Sequence, residues 1–168
     1  MKRMLMTAGL LAVLSAGLAA AVAPPANFAG TWVLDKAKSQ GLQGRMAEAD
    51  VTWVVTQDEK QLSLDSKVSM GGQEGPGQTA VYKLDGSETT GEVTGRMPGK
   101  ATRKAKWMGD GTMLELHEVR NANFQGNDVT ITTTEHWELA EGGKVLKVHR
   151  KAESPQGARE STLTFNKK

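Results

Sequence analysis

The sequence contains no cysteine, only five prolines, and 5% aromatic residues in a length of 168. The missing cysteine excludes a disulfide scaffold, a Cys-ligated zinc site, a thiol nucleophile and a lipid-anchored N-terminal cysteine. Charge of one sign is also lacking. Lys2 and Arg3 are the only charged residues before Asp35. Without them the 21 basic residues fall level with the 19 acidic ones, and the formal charge of +2 disappears. A neutral chain of this kind is a poor nucleic-acid binder. No phosphate-binding loop, Gly-x-Ser-x-Gly elbow or His-Glu-x-x-His helix occurs either. The length suits one domain.

One long apolar run is present, Leu5 to Leu18, and it follows Lys2-Arg3. Small residues at Ala19-Ala20-Ala21 complete the pattern of a secretory signal peptide over residues 1–21, with cleavage expected after Ala20 or Ala21. A short linker (22–27) and one domain (28–168) follow. The expected location is periplasmic or secreted, with no transmembrane segment in the mature chain.

From Phe28 onward, apolar residues alternate with polar ones between glycine-rich turns. The period of two predicts an all-β, antiparallel up-and-down meander of about 8–10 strands closing into a barrel. Strands are expected near 28–34, 50–57, 60–70, 79–84, 87–95, 101–108, 112–122, 127–139, 144–152 and 159–167. Residues 36–49 are expected to supply a turn or two of helix in a lid-like loop after the first strand. Register within 87–95 is not set, because that segment has almost no apolar signal.

Turn chemistry sets register elsewhere. Asp110-Gly111, Gly126-Asn127, Gly142-Gly143 and Pro155-Gln156 are taken as hairpin centres. The large apolar residues then fall on one face in two rows. The first is Trp107, Leu114, Leu139, Leu146 and Phe165; the second is Ala105, Leu116, Trp137, Val148 and Leu163. Asp58-Glu59 as a centre pairs Trp53 with Leu64 and Val55 with Leu62. A third inward row reads Arg103, Glu118, Glu135, Arg150 and Ser161, with Arg120, Thr133 and Arg159 beyond it. Charges facing a dry core cost several kcal/mol each, so this end is expected to be wet.

The first strand, Phe28-Ala-Gly-Thr-Trp-Val-Leu-Asp35, carries Gly30-Thr31-Trp32. This Gly-x-Trp resembles the lipocalin signature and the start of fatty-acid-binding proteins. With Asp35 and Ser39 it is also similar to small exported bacterial proteins of lipocalin-like type. The resemblance implies a calycin-type barrel in which the tryptophan closes one end beside a basic residue from a late strand, with Arg159 and Arg150 as candidates. The segment after strand one is too short for the helix pair of fatty-acid-binding proteins.

The leading functional reading is a non-enzymatic protein that binds a small apolar or amphipathic molecule inside the barrel. Trp32, Trp53, Trp107, Leu116, Trp137 and Val148 are the candidate apolar lining or end-packing residues. Arg103, Glu118, Glu135 and Arg150 form the candidate polar floor. The alternative is a structural or interaction protein of the cell envelope whose barrel is filled by its own side chains. A catalytic use of Glu118 or Glu135 ranks last, because an arginine beside each carboxylate keeps both charged. His117, His136 and His149, the only histidines, fall opposite one another on the outer face. They suggest a zinc or copper site, but Lys104 flanks the row and no packed shell is expected to hold the rings. No metal and no cofactor are therefore assigned. Protein partners are not specified by the sequence.

Overall fold

The computed structural model describes residues 24–94, 97–124 and 126–168. The signal-peptide reading at 1–21 lies outside them. Among the described residues, no helix is long and apolar enough to cross a membrane.

All ten expected strands are present: β1 (Gly30–Leu34), β2 (Asp50–Gln57), β3 (Gln61–Met70), β5 (Gln78–Lys83), β6 (Thr89–Val93), β7 (Gly99–Met108), β8 (Met113–Phe124), β9 (Asn127–Ala140), β10 (Val145–Ser154) and β11 (Gly157–Lys167). A two-residue β4 (Gln73–Glu74) lies between β3 and β5. The strands form one antiparallel sheet, ordered β4-β3-β2-β1-β11-β10-β9-β8-β7-β6, with β5 also on β3. It is an up-and-down sheet curled into a half-barrel, in which the first strand sits between β2 and the last strand. The edge strands β5 and β6 meet without a backbone ladder. Gln78 Nε2 donates to Thr94 O (3.0 Å) and Thr89 Oγ1 to Val81 O (2.5 Å) across that seam.

The helical segment is a single turn, within the turn or two expected. Only Arg45–Glu48 forms α1. Gly41 and Gly44 both have positive φ, and a Cβ on Gly41 would meet Glu160 O at 2.5 Å. The segment before α1 is instead laid on β11. Ser39 Oγ donates to Asp35 O (2.7 Å) and accepts from Thr164 N (2.9 Å), while Asn166 Nδ2 donates to Asp35 Oδ2 (3.0 Å). Asp35 and Ser39 thus staple the loop to the last strand.

Three of the hairpin centres hold. Trp107 faces Leu114, Leu139 faces Leu146, and Leu146 faces Phe165. Two centres are one residue later or earlier than expected. Asn123 Oδ1 accepts from Gly126 N (3.0 Å), so Phe124 pairs with Asn127 and Gly126 is the second turn residue. Asp58 Oδ1 accepts from Lys60 N and Gln61 N (2.7 and 2.8 Å), so Asp58 precedes its turn. In both cases a polar side chain that precedes the turn binds its backbone, Asp58 from the position before it and Asn123 from two positions before. Moving a centre by one residue shifts the pairing by two. Every side chain stays on its face, but each meets a partner one rung away.

Leu114 therefore faces Trp137, Leu116 faces Glu135, Glu118 faces Thr133, and His117 faces Thr134. Trp53 faces Ser66 rather than Leu64, and Val55 faces Leu64 rather than Leu62. The register left open at 87–95 is set by β7, with Gly91 opposite Ala101.

The inner face is filled at one end. Phe28 stacks near Trp107 (6.2 Å) and meets Trp137 edge-on (5.8 Å); Trp53 stacks on Trp137 (5.2 Å) and Phe165 (4.1 Å). Trp32 is fully buried, and its Nε1 donates to Phe28 O (2.9 Å). The basic residue over Trp32 is neither Arg159 nor Arg150. It is Lys167, with Nζ 5.1 Å from the ring. Gly30 makes this approach possible, since a Cβ there would meet Lys167 Cε at 2.6 Å. The Gly-x-Trp spacing is thereby explained: the glycine leaves space for the cation that covers the indole.

Asp35 carries a pH dependence. The Asn166 amide holds its carboxyl below the ordinary 3.8, helped by the Lys38 backbone and charge and opposed by partial desolvation. A lowered folded value contributes stability that is complete above 3.8 and is lost as pH falls through the folded value. Asp35→Asn should lower the melting temperature at pH 7, and thermal melts from pH 7 to 2 should show that deficit shrinking at the acid end.

Candidate functional site

The other half of the barrel interior is open. A cavity of about 450 Å³ lies there, inside the range of small-molecule sites. Its apolar wall comes from alternate residues of β2 and β3 (Val51, Leu64, Val68), with Ala80 and Tyr82 of β5 and Leu116 of β8. Met46 of α1 also lines it, so the short helix sits at its end. Alternation places these side chains inward, because successive residues of a strand point to opposite faces.

The charged wall is made by two separate ion pairs on staggered rungs. Arg103 Nε donates to Glu118 Oε2 (2.6 Å), and Arg150 Nε to Glu135 Oε1 (2.6 Å). This corrects the single expected row. Glu118 and Glu135 do not face each other, since Thr133 stands opposite Glu118 and Leu116 opposite Glu135. Arg103 and Glu135 are only 5% and 8% exposed, so neither charge is relieved by bulk water. Their partners do that work. Glu135 also accepts from Trp137 Nε1 (2.7 Å), and Glu118 Oε1 from Arg120 Nη2 (2.9 Å).

Both carboxylates are thus engaged on both oxygens. The guanidiniums are not. Arg120 has five N–H donors, and Glu118 receives its one hydrogen bond. Its Nε is buried with no partner. Three guanidiniums and two carboxylates meet on this wall, and a third acid, Glu92, is exposed at the rim. Tyr82 stays protonated: burial pushes its hydroxyl far above the ordinary 10, and the charges of Glu135 and Glu118 add to the shift.

Six of the ten residues singled out from the sequence line this cavity: Trp53, Arg103, Leu116, Glu118, Glu135 and Arg150. The other four, Trp32, Trp107, Trp137 and Val148, belong to the filled end. Trp53 is the boundary, stacked on Trp137 and lying 5.7 Å from the Arg150 guanidinium. Arg120 and Thr133 stand on the wall, whereas Arg159 is exposed. Tyr82, Leu64, Val68 and Met46 were not singled out. Ala80 and Tyr82 do alternate in the sequence, but only the pairing of β5 with β3 turns them toward the cavity.

Gly91 is a further constituent without a side chain. A Cβ there would lie 2.9 Å from Arg103 Nη1, so the glycine leaves a notch for the guanidinium beside the seam. Outside the barrel the three histidines do not form one row. His136 faces His149, but His117 faces Thr134. Among the described residues, no three histidine or carboxylate side chains converge to hold a metal.

Two substitutions probe the wall. Glu135→Ala strands Arg150 Nε and Trp137 Nε1 in the interior and should cost about 3 kcal/mol, measured by urea unfolding. Gly91→Ala should displace Arg103 and weaken the Arg103–Glu118 pair. Its crystal structure should show the guanidinium moved away from β6, with a smaller stability loss than Glu135→Ala.

No protein-family model matches the chain, and no curated protein matches it. Solved structures of similar shape include the following two. The zebrafish ileal bile acid-binding protein in complex with cholic acid superposes with a TM-score of 0.53 and 14% identity, over 84% of this chain and 98% of that one. A secretory abundant heat-soluble protein from Ramazzottius varieornatus gives 0.51 and 11%, over 83% and 94%. At these identities the likeness is one of fold: the chain shares with these structures an antiparallel up-and-down sheet curled into a half-barrel.

Proposed function

We propose that this is an exported calycin-type binding protein that takes a small amphipathic molecule into the open half of its barrel. The cavity's two-sided lining carries the reading. Leu64, Val68, Leu116 and Tyr82 offer an apolar wall, and the opposite wall has hydrogen-bond donors to spare. Glu118 and Glu135 each already accept two hydrogen bonds while the guanidiniums keep N–H groups free, so the wall favours a guest whose polar end accepts hydrogen bonds. The extra guanidinium favours an anionic end, placed beside Arg120. Binding of cholic acid by the zebrafish protein of similar fold supports this direction. Lys2-Arg3 and the apolar run after them support export.

The reading is one of binding rather than catalysis. Each carboxylate on the wall is fastened to a guanidinium, which suits it to orienting a guest better than to donating a proton. The aromatic packing of the other half supports the alternative in which the barrel is filled and takes no guest.

Titration with 1-anilinonaphthalene-8-sulfonate separates the two. Its emission should rise and saturate at one equivalent, and decanoate should displace it. Arg120→Met should weaken decanoate at least about tenfold, or about 1.4 kcal/mol, and leave decanol unchanged. Trp53 should report the same events, and Trp53→Phe should remove that signal. No change in either emission would leave the filled barrel as the correct reading.

A further inference from the structure

The cavity holds a second polar point, apart from the arginine that would receive an anion. Tyr82 of β5 is only 6% exposed, yet it lines the cavity. Among the described residues, Arg120 Nε is the one fully enclosed side-chain polar atom without a partner. The Tyr82 hydroxyl also has no hydrogen-bond partner among the described residues, so it keeps contact with open space. For a side chain this deeply buried, that space is the cavity.

Two contacts place Tyr82 at the cavity floor. On one side it stands opposite Leu62 of β3, which is fully buried in the packed end. On the other side lies the seam. There Thr89 faces Arg103 across β6 and β7, and it donates to the carbonyl of Val81, the residue before Tyr82. Arg103 in turn faces Glu118. Its guanidinium reaches back toward the same seam, with Nη1 2.9 Å from where a Cβ on Gly91 would be.

Arg120 lies on the far side of that ion pair. Glu118 accepts from Arg103 through Oε2 and from Arg120 through Oε1. Arg120 is also two residues beyond Glu118 on β8, about 7 Å further from the packed end along the strand. Tyr82 and Arg120 are therefore separated by the Arg103–Glu118 pair, and one carboxylate cannot serve both.

The hydroxyl is available as a donor. Burial and the charges of Glu135 and Glu118 keep it protonated. Neither carboxylate takes its proton, each being bonded already through both oxygens.

We propose that the guest is an oxygenated acid, with its anionic end beside Arg120 and a mid-chain hydroxyl or carbonyl oxygen that accepts from Tyr82. Tyr82 is then the residue that distinguishes an oxygenated chain from a plain one. The inference rests on the binding reading above and adds a second group to the guest.

The test is displacement of 1-anilinonaphthalene-8-sulfonate from the full chain by decanoate, 6-hydroxydecanoate and 6-oxodecanoate. Wild type should bind the two oxygenated acids about tenfold tighter than decanoate, because a plain chain leaves a buried hydroxyl unpaired. Tyr82→Phe keeps the ring and removes the hydroxyl. It should tighten decanoate and weaken the oxygenated acids until the three are level. A purely structural hydroxyl would instead shift all three in one direction. Arg120→Met should weaken all three acids alike and preserve the wild-type preference. Saturable decanoate binding by Tyr82→Phe would show that its barrel is intact. Equal binding of the three acids by wild type would overturn the inference and leave the binding reading standing, as would a preference that persists in Tyr82→Phe. Failure of the fluorophore and of all three acids to bind wild type would overturn both.

Discussion

Charges aimed into a β-barrel must be matched inside it, and the two arginine–glutamate pairs meet that requirement here. Arg103–Glu118 and Arg150–Glu135 are both 2.6 Å contacts on the inner face. Removing one partner of such a pair is costly because it leaves the other charge uncompensated in low dielectric. The pairs therefore divide the interior. On one side the chain can pack tryptophan and phenylalanine to high density. On the other it holds a polar wall that the core cannot close over.

Trp53 joins the two halves. One part of its ring system stacks on Trp137 and Phe165, and Arg150 lies over it from the charged side. Trp137 is linked in turn to Glu135 through its indole N–H. The packed end and the open end are thus mechanically continuous. The seam between β5 and β6 borders the open end: Gln78, Ala80 and Tyr82 line the cavity from one edge, and Glu92 and Val93 from the other. Side-chain hydrogen bonds hold those edges together instead of a ladder, so this is the border of the sheet with the fewest backbone constraints.

Much of the candidate wall was legible because inward and outward positions alternate strictly along a strand. Arg103, Glu118, Glu135 and Arg150 all face inward as expected. Their grouping was not legible. Asn123 and Asp58 bind the backbone of the turns that follow them, and a single-residue change of turn centre moves a whole strand by one rung. That shift separates Glu118 from Glu135 and takes His117 out of the histidine row. It leaves His136 beside His149.

The sequence by itself determined the meander, its ten principal strands, the inward faces of β2, β3 and β7 to β11, and the Gly30-Trp32 opening. These follow from short-range rules: a period of two and the backbone preferences of glycine, asparagine and aspartate. The tertiary structure alone decided which residue stands on each rung, that Lys167 rather than Arg159 or Arg150 covers Trp32, and that Gly91 makes room for Arg103. It also decided that the barrel is filled at one end and open at the other. Those outcomes depend on contacts between strands far apart in the chain, where side-chain volume and hydrogen-bond completion, not local pattern, select the partner.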